Sequence, residues 1–118
     1  MAKPKSPEEL VPLTPPVFHI LLALADEERH GYGIMQDVAR QTDGSLQLGP
    51  GTLYGCLKRM LAAGLVEEAG ERAGPGEERR RYYRITASGV QAVRAESKRL
   101  ALAVNAARAK RVIAGSKA

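Results

Sequence analysis

Few side chains in this sequence are able to carry catalysis. Besides carboxylates, the candidates for a nucleophile or a general base are Cys56, His19 and His30. Cys56 falls near the apolar edge of a predicted helix, where a small thiol is usually buried, and no local signature pairs it with a histidine. No group of residues has the spacing of metal ligands, and the Gly-Lys-Ser/Thr end of a phosphate-binding loop is absent. These residue types argue against an enzyme, and we expect neither a metal nor a cofactor.

Binding of a charged partner is better supported than catalysis. The first candidate surface lies on a helix predicted over residues 50–63. On a helical wheel, its apolar side consists of Leu53, Leu57, Met60 and Leu61. Its opposite side consists of Gly51, Gly55, Lys58, Arg59 and Ala62, with Tyr54 at the edge. Small residues let a backbone approach another surface, and a DNA major groove admits one helix. The face is therefore predicted to bind a polyanion; the alternative is a solvated surface with two exposed cations.

A second cluster of cations lies in a predicted β-hairpin. The strand over 79–85 contains Arg79, Arg80, Arg81 and Arg84, and alternation directs Tyr83 and Ile85 to the core. Like charges this close repel one another unless counter-charges are present. Four glutamates nearby would supply them: Glu67, Glu68, Glu77 and Glu78. The other interpretation is that arginines at the hairpin tip reach phosphates or a minor groove.

Caps and periodicity predict the elements that position these groups. Thr14, followed by proline, starts a first helix that runs to about Glu28. A second helix is predicted over 32–42, and Gly64 ends the third. Strands over 65–69 and 79–85 flank a segment rich in Gly, typical of a hairpin with a long tip. Three helices followed by a hairpin is the plan of a winged helix-turn-helix.

A long last helix is predicted from a cap at Thr86 to about Ile113. Alternating steps of three and four residues, the spacing of a coiled-coil seam, connect Val90, Val93, Leu100 and Val104 when Ser97 is included between the second and the third. A seam that its own domain leaves uncovered needs a partner, so we expect a homodimer. The expected fold is mostly α with a small β-hairpin. It comprises a flexible N-terminal arm over 1–13, a winged helix-turn-helix domain over 14–86, and a C-terminal dimerisation helix and tail over 87–118.

Composition indicates which binding partners and which cellular compartment to expect. The formal net charge of +5 and the isoelectric point of about 9.7 favour polyanions, nucleic acid before anionic membrane. The single cysteine excludes an intrachain disulfide. The first residues lack the apolar region of a signal peptide, and the longest apolar stretch, 20–25, is too short to span a bilayer. We therefore expect a cytoplasmic protein that does not contact a membrane.

Three segments, spread over about residues 21–89, together resemble the PadR family of bacterial transcriptional regulators. They are His30-Gly31-Tyr32-Gly33-Ile34, the stretch 51–60 followed by Gly64-Leu65-Val66, and the stretch 81–89. Their order and spacing are more specific than any one of them. The resemblance implies a homodimer, joined through the C-terminal helix with a contribution from the first helix. It also implies sequence-specific binding to pseudo-palindromic promoter DNA, usually as a repressor.

The resemblance also implies which residues contact double-stranded DNA. The positions that match the family's DNA-facing residues are Thr52, Tyr54 and Lys58 on the third helix, Tyr32 as a phosphate contact, and Arg80 and Arg81 on the wing. Arg59 is added to this set because it lies on the same basic helix face. Some relatives release DNA when they bind phenolic acids or hydrophobic drugs, which implies a small hydrophobic or phenolic effector. This sequence has no Trp for the aromatic sandwich of the drug-binding members.

Two other functions remain open at this point. A winged helix also serves as a protein-interaction adaptor without DNA binding, although such adaptors usually lack a basic third helix and an Arg-rich wing. RNA binding often uses an aromatic stacking platform. Tyr82 and Tyr83 do not form one, because neighbouring strand residues point to opposite faces.

Overall fold

Four helices and three strands follow one another in the computed structural model, which describes residues 6–114 apart from the side chain of Glu77. The helices are α1 (Pro15–Ala25), α2 (Gly31–Gln41), α3 (Pro50–Ala62) and α4 (Ala87–Ala109), and the strands are β1 (Arg29–His30), β2 (Val66–Ala73) and β3 (Arg79–Ile85). Short 3-10 helices, Pro7–Leu10 and Pro75–Glu77, precede α1 and form the hairpin tip. The expected fold class, mostly helical with a small sheet, is confirmed.

Helix α1 begins at the predicted cap and ends earlier than predicted. The Thr14 hydroxyl accepts a hydrogen bond from a first-turn backbone N–H at 3.5 Å. The helix ends at Ala25 instead of about Glu28, because the three acidic residues that follow would stand at the negative end of the helix dipole. Nε of Arg29 instead donates to the carbonyl of Ala23 at 2.7 Å, which satisfies one of the free carbonyls of the last turn.

Helices α3 and α4 end with the same turn made by different residues. Gly64 has a φ of 75° and ends α3 as predicted. The sequence predicts α4 to about Ile113, but the helix ends at Ala109, and Arg111 takes the left-handed conformation with a φ of 61°. This position is usually glycine, so an arginine that fills it leaves no signal in the sequence.

The sheet contains three strands in the order β1-β3-β2, one more than predicted. The additional strand, β1, pairs antiparallel with β3, with Arg29 opposite Tyr83 and His30 opposite Tyr82. It ties the segment before α2 to the hairpin. A strand of two residues between two helices has no alternating pattern of its own, which is why the sequence does not reveal it.

The hairpin formed by β2 and β3 is called the wing. Its first strand is longer than predicted. Strand β2 continues to Ala73, beyond the predicted end at residue 69, and its register with β3 shifts between Glu68 and Glu71. Gly70, within that shift, has a φ of 91°. The glycine that suggested a loop thus accommodates an irregularity inside the strand.

The N-terminal segment lies against the body of the domain in its described part. Pro7–Leu10 forms a 3-10 helix beside α4, and Leu10 and Leu13 pack against the core. Residues 1–5 of the expected arm and 115–118 of the expected tail lie outside the described residues. The domain boundaries at 13/14 and 86/87 stay predictions.

One hydrophobic core joins the helices and the hairpin. Its largest fully buried side chains are Ile20, Leu21, Ile34, Leu53, Leu57, Met60, Val38 and Val66. The predicted inner side of α3 contributes three of these, and Leu61 is partly buried beside them. Because the core fixes the rotation of α3 about its own axis, the basic side of that helix is held at the surface.

Only the first half of α4 belongs to this core. Val93 is 7% exposed and therefore buried within its own protomer, and Val90 is half-buried. Leu100 and Val104 are 36% and 39% exposed. Of the four predicted seam residues, these last two are the ones that the protomer leaves uncovered.

Candidate nucleic-acid interface

The outward side of α3 is a polar face on a helix without acidic residues. Thr52, Tyr54 and Lys58 are exposed there, Tyr54 with 50% of its surface. No side chain caps the helix at Gly49, and nothing lies within 4 Å of the place that a Cβ on Gly51 would occupy. The first backbone N–H groups of α3 are therefore open to an anion.

Tyr54 owes its position to a glycine on the neighbouring helix. A Cβ on Gly31, the buried first residue of α2, would overlap the Tyr54 hydroxyl and lie 2.9 Å from its Cζ. Real Cβ contacts essentially never come that close. The absence of a side chain at residue 31 lets the Tyr54 ring lie across the start of α2, with its hydroxyl directed to the gap between α2 and the wing.

A groove of about 430 Å³ separates the hairpin from the two helices. Four residues predicted to bind DNA line it together: Tyr32, Tyr54, Arg80 and Arg81. Tyr32 is 59% exposed at the start of α2. Phenol hydroxyls and guanidinium groups are hydrogen-bond donors, so these four side chains are able to bind an anionic ligand. In this groove the structure brings Tyr32 next to wing arginines that lie at least 48 positions further along the chain.

The remaining predicted residues of α3 do not line this groove. Arg59 lies back along its own helix, with Nη2 3.5 Å from the sulfur of Cys56 and Nη1 3.7 Å from the Cβ position of Gly55. It lines a different, apolar cavity between α3 and the N-terminal segment. Lys58 and Thr52 are exposed on the helix outside both cavities.

The wing arginines all face glutamates. The closest contacts are Arg79 with Glu71 (3.3 Å), Arg80 with Glu78 (3.3 Å), Arg81 with Glu68 (3.3 Å) and Arg84 with Glu67 (2.9 Å). Three of the four predicted counter-charges are found, while the side chain of Glu77 lies outside the described residues and Glu71 was not predicted. Exposed ion pairs contribute little to stability, so each arginine is able to exchange its carboxylate for a phosphate.

His30 occupies the junction of α2, β1 and the wing. Its Nδ1 lies 3.2 Å from the backbone N of Gly33 and caps α2, and its Nε2 lies 3.0 Å from Nη1 of Arg80. The ring meets the Tyr82 ring edge to face, with centroids 5.2 Å apart. Burial, and then the Arg80 charge, hold the pKa of His30 below its ordinary value.

The wing is attached to the body by a second contact. The Arg72 guanidinium lies 4.0 Å above the centroid of the Tyr82 ring and pairs with Glu28 in the loop before β1. Glu28 also lies 3.5 Å from Arg84. The hydrogen bond from Arg72 is the main cause that lowers the pKa of Glu28, with Arg84 adding to it and slight burial opposing it.

Sequence reasoning missed several residues of this site. Gly31 and His30 lie in a motif that supports the family resemblance, but the positions of their contacts, Tyr54 and Arg80, are set by tertiary folding. Glu28 reaches the wing because β1 carries the chain to it. The only local signal was Gly31, since glycine permits a close approach, whereas histidine is not one of the usual capping residues.

The reactive residues considered first have structural contacts. His19 Nδ1 lies 2.7 Å from Oε1 of Gln41, His30 caps α2, and Cys56 is 3% exposed in the core. Within residues 6–114, three or more His, Cys, Asp or Glu side chains nowhere gather as metal ligands would. None of the helices in that same range is both long and apolar enough to cross a bilayer.

A three-stranded sheet, whose hairpin forms the wing, packs beside three helices, and the third helix exposes a basic face. This arrangement defines a winged helix-turn-helix protein. The family model described as "Transcriptional regulator PadR-like family" matches residues 20–95, and the chain belongs to that family. An uncharacterised protein from Lysinibacillus sphaericus is 34% identical over 71 residues, which are 59% of this chain and 63% of that relative. The chain therefore matches less than two thirds of the length of this relative.

Solved structures of regulators have the same fold. A transcriptional regulator from Clostridium thermocellum is 26% identical, with a TM-score of 0.63 over 77% of this chain and 84% of that one. A PadR family transcription regulator from Clostridium difficile superimposes with a TM-score of 0.68 at 22% identity, over 80% and 96% of the two chains. Bacillus subtilis PadR, solved in complex with operator DNA, superimposes with a TM-score of 0.58 at 20% identity over 66% and 44%.

Proposed function

We propose that this protein is a sequence-specific DNA-binding regulator that acts as a homodimer on a pseudo-palindromic promoter site, where it represses transcription. One observation carries the proposal: the exposed side of α3 combines Tyr54 and Lys58 with no acidic residue. Such a face meets DNA without like-charge repulsion. The Bacillus subtilis relative was solved with its operator, which supports DNA as the partner here.

In the proposed complex, α3 lies in the major groove and the wing flanks it. Lys58 contacts a phosphate or a base edge, and Tyr54 and Tyr32 donate their hydroxyls to phosphates. Arg80 and Arg81 add phosphate or minor-groove contacts after exchanging Glu78 and Glu68 for the nucleic acid. Phosphate contacts set the affinity and base contacts set the sequence preference.

The homodimer is proposed from the second half of α4. Leu100 and Val104 lie one turn apart on one side of the helix and are 36% and 39% exposed. A second copy of the same helix would cover them and would place two α3 helices on one DNA molecule. Replacing Leu100 and Val104 together by glutamate should yield a monomer in sedimentation and abolish tight operator binding; a stable dimer would remove this part of the proposal.

The apolar cavity lined by Leu10, Leu13, Val17, Met60 and Leu65, of about 210 Å³, is the proposed site for a small hydrophobic or phenolic effector. It joins the N-terminal segment to the end of α3, so a ligand bound there would touch both the DNA-reading helix and the segment beside α4. A ligand regulates binding only if it prefers one arrangement of these elements over the other.

The test is fluorescence anisotropy of labelled DNA from upstream of the protein's own gene, against a scrambled duplex, over a salt series. Wild-type protein should prefer the native fragment and lose affinity steeply as salt rises. Tyr54→Phe and Lys58→Gln should weaken binding, whereas Lys98→Gln, an exposed lysine on α4, should not. The absence of binding even at low salt would favour a protein-interaction adaptor, for which the paired wing charges are the supporting observation.

A further inference from the structure

The positive charge of this chain is concentrated away from the proposed DNA-reading helix. Residues 1–86 contain eleven basic and twelve acidic residues, so the whole positive excess of the chain comes from residues 87–118. Glu96, the one acidic residue of that last part, is 3% exposed in its side chain and pairs with Arg99. The exposed surface of α4 is therefore basic and contains no accessible carboxylate of its own.

Arg94 and Lys98 lie one turn apart on the outer side of α4. On a helical wheel, this side is opposite to the buried residues Ala92, Val93 and Glu96, and both cations are exposed. Neither takes part in an ion pair within residues 6–114. Like charges four residues apart slightly destabilise a helix, so this pair does not serve the stability of α4.

Two more cations extend this basic surface to the C-terminal end of α4. Lys110 and Arg111 are exposed in the turn that ends the helix. At the rise of an α-helix, the distance along the axis from residue 94 to residue 110 is about 24 Å. Over that length, a DNA duplex presents about 14 phosphate charges, so a surface of this extent is able to meet several phosphates together.

The proposed dimer leaves the outer side of α4 uncovered. Leu100 and Val104, the seam residues that the protomer exposes, lie about 120° round the helix from Arg94 and Lys98. A second copy that packs on the seam therefore does not cover these two cations. The dimer thus carries the basic surface twice.

The outer sides of α3 and α4 face in different directions. Their inner sides line the same core, through Leu57 on α3 and Val93 on α4, and α1 packs against both helices. Because both inner sides are directed to this shared core, both outer sides point away from it. A straight duplex on the outer side of α3 therefore does not reach Arg94 and Lys98 of the same protomer.

We propose that the outer side of α4 is a second DNA-binding surface, which binds another duplex through its phosphates while α3 holds the operator. The inference rests on the proposed function, since the operator is the first of the two duplexes. Unpaired cations release counterions when they meet phosphates, and such contacts carry no sequence information. A dimer with both surfaces occupied bridges two segments of DNA.

The outer side of α4 suits DNA better than an anionic membrane. Gln91 and Asn105 lie on it with Arg94 and Lys98, and Leu102 is the one large apolar residue of that side within the helix. A helix that lies in a membrane surface needs a broad apolar face beside its cations. Phosphates of a duplex require only the charges and the polar side chains.

Fluorescence energy transfer between two duplexes tests this surface. The donor is on an operator duplex long enough for both α3 helices of one dimer, at one duplex per dimer, and the acceptor is on a duplex of unrelated sequence. Wild-type protein should bring the two together at low salt and release the second duplex as salt rises. Arg94→Gln/Lys98→Gln should weaken capture of the second duplex about tenfold and reduce its salt slope by about two, with operator affinity unchanged.

Two further variants locate the effect. Arg94→Lys/Lys98→Arg keeps both charges and should capture the second duplex as the wild type does. Lys58→Gln should show the opposite pattern to the α4 variant, with weaker operator binding and normal capture of the second duplex by the operator-bound dimer.

Several results would overturn the inference and leave the proposed function intact. They are the absence of energy transfer from operator-bound wild type, unchanged transfer in Arg94→Gln/Lys98→Gln, and an equal loss of operator affinity in that variant, which would place α4 on the operator itself. Stronger binding to phosphatidylglycerol vesicles than to the second duplex would assign the surface to a membrane and overturn it too. Failure of the wild type to prefer the operator over a scrambled duplex would overturn the proposed function, and the inference would fall with it.

Discussion

Helix α3 and the wing both carry cations, but they hold them differently. Lys58 and Arg59 stand on a helix that contains no acidic residue. Between Val66 and Ile85, the hairpin has five arginines and five glutamates, and the wing arginines are engaged in ion pairs. A cation without a partner releases counterions when it meets a phosphate, whereas a paired cation must first leave its carboxylate.

The two regions should therefore contribute different properties. The charge of α3 should supply most of the salt-dependent affinity. The wing should act mainly through shape and through the exchange of one set of hydrogen bonds for another. By the number of basic residues alone, the wing would be expected to supply more of the salt-dependent affinity than α3, because the wing has five arginines and the helix has two basic residues.

The largest effect is expected from the glycine that positions α3's tyrosine. Gly31→Ala displaces the Tyr54 hydroxyl and should weaken operator binding by about 10- to 100-fold, the value of a lost hydrogen bond to a charged group. The stability should change little, because the Tyr54 ring is half exposed and able to rotate into solvent. Gly33→Ala is the matched control, because its Cβ would meet its nearest neighbour at an ordinary 3.6 Å. Anisotropy and thermal unfolding check both variants, and unchanged binding in Gly31→Ala would show that Tyr54 does not need this position.

The direct comparison between the regions is Lys58→Gln against Arg81→Gln. Removal of Lys58, the proposed phosphate contact, should cost about tenfold in affinity and reduce the salt slope by about one. Removal of Arg81, which is paired with Glu68 and Glu71, should cost less and change the slope little. Equal losses and equal slopes for the two variants would erase the distinction between helix and wing.

Removing the carboxylate partners of the wing arginines should make the wing bind DNA as α3 is expected to. In Glu68→Gln/Glu71→Gln, Arg79 and Arg81 lose the carboxylates that lie 3.3–3.5 Å away. We expect affinity at low salt to rise about threefold and the salt slope to steepen by about one. Scrambled DNA should gain as much as the operator, since phosphate contacts carry no sequence information. Weaker binding would mean that these glutamates support the wing more than they restrain it.

The smallest effect concerns the attachment of the wing to the body. The pKa of Glu28 is lowered chiefly by its hydrogen bond from Arg72. A lowered carboxyl pKa stabilises the folded wing above the ordinary value and loses that contribution as pH falls through the lowered one. On acidification, hydrogen exchange in β3 should therefore accelerate, and less so in Glu28→Gln. Glu27→Gln, whose carboxylate faces Arg29 instead of the wing, should behave like the wild type.

The sequence predicts the helices well because their signals are local. Thr14 and Thr86 cap helices as expected, with hydrogen bonds of 3.5 and 3.0 Å to first-turn N–H groups, and Gly64 ends α3. The end of α4 at Ala109 was missed because Arg111 takes the left-handed conformation that glycine usually fills. Strand β1 was missed because it exists only through its pairing with β3.

The net charge indicates the kind of partner but does not locate the surface that would bind it. The net charge of +5 predicts a polyanion partner, yet residues 87–118 contain seven basic residues and one acidic residue, and residues 1–86 contain eleven basic and twelve acidic residues. The excess therefore belongs to α4 and the tail. The candidate interface depends on where Lys58 lies and on which arginines have partners, and both are properties of the folded chain.

The contact between Gly31 and Tyr54 has a consequence for how this chain and its homologues diverge. A Cβ at residue 31 would overlap the Tyr54 hydroxyl and crowd its Cζ, so a side chain at residue 31 is not compatible with the present position of Tyr54. Alanine at residue 31 should be retained mainly where residue 54 has already become smaller, whereas a smaller residue 54 is compatible with glycine at residue 31. Substitutions at these two sites should therefore appear as a correlated pair, acquired in a fixed order, in an alignment of descendants.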